Sequence, residues 1–159
     1  MLSDQILTRI NRELGKYPAD QKQSAVMAAL RFVQEEKGWI ATEDMAAIAV
    51  YLGMPQMTVY EVATFYHMYN LKPMGKHMLT VCTNISCMLC GSAETVAHLS
   101  KRLGIGLGEV TPDGKFGLRE GECMGACMDA PMFTINNNKL CGRLTAEKID
   151  EILAELDKQ

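Results

Sequence analysis

Four of the six cysteines fall into two close pairs, Cys82/Cys87 and Cys123/Cys127, with four and three residues inside the pairs and about 35 between them. No other feature of the chain restricts its fold as much, because both pairs must sit in loops that can face each other. The first follows an apolar run (Met78, Leu79, Val81) that reads as a buried strand and gives way to a polar loop and a helix. The second, Gly121-Glu122-Cys123-Met124-Gly125-Ala126-Cys127, follows a strand-like run containing Phe116 and Leu118. Small residues between its sulfurs let backbone amides turn inward.

Thiolate suits both tetrahedral zinc and iron with sulfide. Structural zinc loops most often hold two intervening residues, within a range of about two to four. The wider pairs here favour a 2Fe-2S rhomb with one pair on each iron. Zinc and inert buried thiols stay open as alternatives. Cys90 adds a further possibility, since Cys87-Met88-Leu89-Cys90 at a strand-to-helix junction is where a thiol-disulfide oxidoreductase places its dithiol, with Pro131 before a later strand. That chemistry leaves Cys82, Cys123 and Cys127 without a role. Cys141 reads as a buried thiol.

The preceding half is helical. Ile6, Leu7, Ile10 and Leu14 recur at helical spacing from Ser3, and a second helix from Asp20 carries Val26, Ala29, Leu30 and Val33 and ends at Gly38. Trp39 in the connector reads as a hydrophobic anchor. Thr42 is expected to cap a third helix, and Thr58 with Glu61 to form a capping box for a fourth that runs to about Met68. The last two suggest a helix-turn-helix, but residues 41–70 contain no lysine or arginine and could not neutralise phosphate. Four short amphipathic helices leave apolar face to cover, so this half is expected to pack on the second half or on a partner.

Leu71-Lys72-Pro73-Met74-Gly75 breaks the helical period, placing the boundary between a bundle over 1–74 and a second domain over 75–159. Beyond it come a strand over His77 to Cys82 and a helix whose face is drawn by Ala93, Val96, Ala97 and Leu103. A turn at Pro112-Asp113-Gly114 leads to a strand over Phe116 to Glu120. A hairpin follows from Met132 to Cys141 around three asparagines, then a last helix opened by Thr145 with Ile149, Ile152, Leu153 and Leu156 in a stripe. This is an α+β arrangement with a small mixed sheet. The glycines of Gly104-Ile105-Gly106-Leu107-Gly108 follow a helix rather than open one, so a loop is expected there and no dinucleotide site.

A net charge of -3 gives no footprint for nucleic acid or anionic membrane, and no segment reaches the roughly twenty apolar residues of a membrane span. A start without a basic region and apolar core, with cysteines placed for metal, points to a reducing, cytoplasmic setting. The three histidines share no spacing, and no general base is paired with a nucleophile.

Ala63-Thr64-Phe65-Tyr66, Leu71-Lys72-Pro73, Val81-Cys82 through Cys87, Glu109 through Lys115, Glu122 through Cys127 and Ala130-Pro131 together resemble the 24 kDa subunit family of NADH:quinone oxidoreductase (complex I). The resemblance runs along nearly the whole chain. It implies a helical bundle followed by a thioredoxin-like ferredoxin domain, with one 2Fe-2S cluster on Cys82, Cys87, Cys123 and Cys127. It further implies a partner flavoprotein that holds FMN and oxidises NADH, and a peripheral place on the cytoplasmic face of the inner membrane. Similar chains serve NAD-reducing hydrogenases and NAD-linked formate dehydrogenases. Cys90 departs from the family pattern, and the four-residue spacing selects Cys87 as the ligand.

Overall fold

The computed structural model describes residues 2–158 as two compact units, divided between Pro73 and Met74. In the first, α1 (Asp4–Leu14) starts at Ser3, whose hydroxyl accepts the Ile6 N–H, and buries Ile6 and Ile10. α2 (Val26–Lys37) buries the stripe read from its sequence, including Ala29, Leu30 and Val33, and ends at Gly38. It begins later than expected from Asp20, because a 3-10 turn over Lys22–Ala25 precedes it.

α3 (Thr42–Leu52) is not capped by Thr42. Ala41 holds the cap position, and the Asp44 carboxylate reaches back to its N–H at 3.3 Å while pairing with Lys37 Nζ at 2.6 Å. α4 (Gln56–Phe65) also departs from the expected box. Pro55 supplies a φ of -61° at the cap position, so the helix starts before Thr58 and ends at Phe65 rather than Met68. Leu30, Ile48 and Val59 from three different helices are wholly buried in one core, each worth about 1.5–3 kcal/mol. Tyr69 joins it from the following loop, its hydroxyl donating to the Met27 carbonyl at 2.9 Å.

The second unit is a five-stranded mixed sheet in the order β2-β3-β1-β4-β5. Its strands are β1 (His77–Cys82), β2 (Glu109–Val110), β3 (Phe116–Gly121), β4 (Phe133–Ile135) and β5 (Lys139–Cys141). β1 is central and buried along its whole length, and its sequence is accordingly mostly apolar, with His77 and Thr80 as its buried polar residues. β1 and β3 are parallel, in register from His77↔Phe116 to Cys82↔Gly121; the other pairings are antiparallel.

A short helix α5 (Ile85–Leu89), α6 (Ser92–Leu103) and α7 (Ala146–Asp157) complete the unit. Leu99 of α6 and Ile149, Leu153 and Leu156 of α7 close over Leu79, Val81 and Leu118. The face expected for α6 is corrected: Ala93 and Ala97 are exposed, and Ser92, Thr95 and Leu99 are buried. The Thr95 hydroxyl answers the Gly91 carbonyl at 3.1 Å, so a polar side chain enters the core without a lost hydrogen bond. Thr145 caps α7 as expected, accepting the Lys148 N–H. The segment over 104–108 is a loop that leads from α6 toward β2.

Candidate metal centre

Parallel pairing of β1 with β3 sends the chain out of the sheet twice at the same end, and each exit carries a cysteine pair. Cys82 is the last residue of β1, its N–H bonded to the Met132 carbonyl at 3.1 Å. Thr83 N–H then reaches the Gly121 carbonyl at 3.2 Å, carrying the ladder one step into the loops. Asn84 joins the loops directly: its Oδ1 accepts the Ile85 N–H at 2.9 Å and caps α5, while its Nδ2 donates to Glu122 Oε2 at 2.6 Å. Spacing did not mark this tie between the neighbours of Cys82 and Cys123; the one local signal was an asparagine before a short helix.

α5 turns Cys87 inward beside Cys82, and both are buried with Met132 between the flanking Met124, Ala126 and Ala130. Burial, and then the Cys82 thiol, push the Cys87 thiol up to about 11. Cys123 and Cys127 are exposed, with their Sγ atoms 3.4 Å apart. The Gly125 N–H turned onto the sulfur, and then Cys127, hold Cys123 below the ordinary thiol value. The two pairs are carried on the loops that leave the parallel neighbours β1 and β3 at the same end of the sheet.

Cys90 ends α5 as an exposed thiol. Cys141 is buried on β5, and burial pushes its thiol up. The Ala130–Pro131 peptide is cis and leads into β4. Among the described residues, no group of three or more His, Cys, Asp or Glu side chains converges as a single metal ion would need. The four thiols lie as one deep pair, Cys82 and Cys87, and one outer pair, Cys123 and Cys127, and thiolates of this kind could hold a soft metal or an iron-sulfur cluster.

A model of the thioredoxin-like [2Fe-2S] ferredoxin family matches residues 10–157. NADH-quinone oxidoreductase subunit 2 of Thermus thermophilus is 40% identical over 147 residues, 92% of this chain and 81% of that protein. An NADH-quinone oxidoreductase subunit of Rickettsia bellii is 44% identical over 144 residues, 90% of this chain and 86% of the relative. NADH dehydrogenase [ubiquinone] flavoprotein 2 of Dictyostelium discoideum is 41% identical, and the match spans 61% of its length. Among solved structures, an NAD+-reducing [NiFe]-hydrogenase in its H2-reduced state superposes with a TM-score of 0.73 at 22% identity. That likeness covers 85% of this chain and 22% of the hydrogenase chain, and it concerns the fold. With the family model matched from the first helix to the last, the chain belongs to the thioredoxin-like [2Fe-2S] ferredoxins.

Proposed function

We propose that the chain holds one 2Fe-2S cluster on Cys82, Cys87, Cys123 and Cys127 and is the electron-transfer subunit of an NADH:quinone oxidoreductase. It exchanges single electrons with the FMN of a partner flavoprotein that binds NADH. The observation that carries this reading is the in-register parallel pairing of β1 and β3, which delivers two thiol pairs to one end of the sheet. Relatives named as NADH-quinone oxidoreductase subunits support the parent complex.

When bound, such a cluster takes up and gives back one electron at a time. The chain's own residues do the rest. Cys82 and Cys87 supply a buried anchor from which water is kept out, and Cys123 and Cys127 supply the outer pair. The Gly125 N–H, aimed at Cys123, favours charge on that sulfur. Asn84 and Glu122 hold the loops to one another.

A dithiol oxidoreductase fits less well. A Cys87/Cys90 dithiol would leave Cys82, Cys123 and Cys127 without a role, and of its two thiols Cys87 is buried while Cys90 is exposed. Among the described residues no helix is long and apolar enough to cross a membrane. A peripheral place at the cytoplasmic face, held through the complex, belongs to the proposal and rests on the relatives named as NADH-quinone oxidoreductase subunits.

The test is iron, acid-labile sulfide and zinc measured on one anaerobic preparation, with spin resonance after dithionite. Iron and sulfide in equal amounts with a rhombic signal support the proposal. A colourless, folded protein with one tight zinc overturns it.

A further inference from the structure

We infer that Gly142, in the connection between β5 and α7, is a positioning residue for the second cysteine pair. The inference rests on the cluster proposed above. Cys127 opens a 3-10 turn, Cys127–Asp129, tied by Asp129 N–H to the Ala126 carbonyl at 2.9 Å and Ala130 N–H to the Cys127 carbonyl at 3.3 Å. Displacing Asp129 therefore displaces Cys127.

The β5–α7 connection is pressed against that turn. A Cβ on Gly142 would stand 2.5 Å from Asp129 Cβ and 2.6 Å from the Asp129 carbonyl oxygen. The second neighbour is backbone, so the turn itself would have to yield. The next residue, Arg143, takes a left-handed φ of 52°, unusual for a side chain of its size. In that conformation its N–H reaches the Asp129 carbonyl at 2.6 Å, and Leu144 N–H follows onto the Pro131 carbonyl at 3.1 Å. Two consecutive amides of one connection thus grip the segment that leaves Cys127.

Arg143 Nε also pairs with Asp129 Oδ1 at 2.9 Å, but their side chains are 74% and 45% exposed. Exposed pairs of this kind contribute little. The grip lies in the backbone, and the missing Cβ of Gly142 is what allows it. Supports of this sort around a metal commonly change its retention by about 10–100-fold when removed.

The experiment compares the anaerobically purified full chain with Gly142→Ala, Asp129→Gly and Arg143→Gly. Iron and sulfide on the unaltered chain come first, because their absence would sink the cluster reading rather than this one. Given a cluster, Gly142→Ala is expected to shift the g values of the reduced state by more than their line width. It should also release iron to a chelator at least about tenfold faster. Asp129→Gly removes the opposing Cβ without adding an atom and loosens the turn, so it should move the same two readouts if Gly142→Ala does not fold. Arg143→Gly keeps the N–H and left-handed φ while deleting the ion pair, and should match the unaltered chain. Wild-type g values and iron release in both Gly142→Ala and Asp129→Gly, or in the second alone if the first is insoluble, overturn the inference. A shift in Arg143→Gly as large as theirs would assign the effect to the ion pair and overturn it as well.

Discussion

Cys87 and Cys90 lie three positions apart and meet opposite surroundings. Cys87 is 1% exposed and sits against Cys82, whereas Cys90 caps α5 in solvent. Cys87→Ser should therefore abolish the visible and spin-resonance spectra of the cluster, while Cys90→Ser leaves them nearly intact. The opposite pattern would transfer the ligand role to Cys90. His77 carries a pH prediction. Burial, and then Lys76, hold its imidazole below 6.5. The folded state then stays neutral where the unfolded chain takes up a proton. This contribution is complete above the unfolded value of 6.5 and is lost as pH falls below it toward the folded value. Urea titrations at about pH 7.5 and 5.5 should show a stability drop, with a slope from this group of at most about 1.4 kcal/mol per pH unit, that His77→Phe lacks. The cysteines were legible because ligand spacing is written along the chain. The Asn84–Glu122 tie was not, since its partners are 38 positions apart and neither belongs to a periodic stripe.

At the scale of elements, Gly75 shows how one symbol in a sequence can carry two meanings. The sequence offers it as punctuation after a helical half. In the fold it lies against β3, where an added Cβ would run into the backbone of Phe116 and Gly117. Gly75→Ala should cost about 1–3 kcal/mol of overpacking, read as a lower urea midpoint with an unchanged slope. Helices with a pure apolar stripe, α2 and α7, were legible in the same way as the central strand. α6 was misjudged because it buries Ser92 and Thr95, whose polarity hides them from a hydrophobic pattern until their hydrogen bonds are known. β2 escaped notice since two residues are too few to show a period of two. The starts of α3 and α4 were set by Asp44 and Pro55, which competed with the nearer threonines.

For the whole molecule, an α+β chain with a mixed sheet was expected, and the fold and family are of that kind. The proposed work pairs the chain with a second protein that binds NADH, and the glycines over 104–108 follow α6 in a loop instead of opening a helix as a dinucleotide site would. NADH alone should thus leave the absorption of the oxidised chain unchanged under anaerobic conditions. Addition of the NADH-oxidising flavoprotein should bleach it. Bleaching by NADH without that partner would reveal a hydride acceptor in this chain and refute its role as a one-electron accessory.

The uneven depth of the four sulfurs gives the centre a direction in time as well as in space. In a chain stripped of metal, iodoacetamide should tag Cys90, Cys123 and Cys127 well before Cys82, Cys87 and Cys141, and peptide masses taken at successive intervals read that order. The same gradient decides where weathering begins in air. In the proposed centre, air oxidation should begin at the exposed Cys123 and Cys127 and reach the buried Cys82 and Cys87 last.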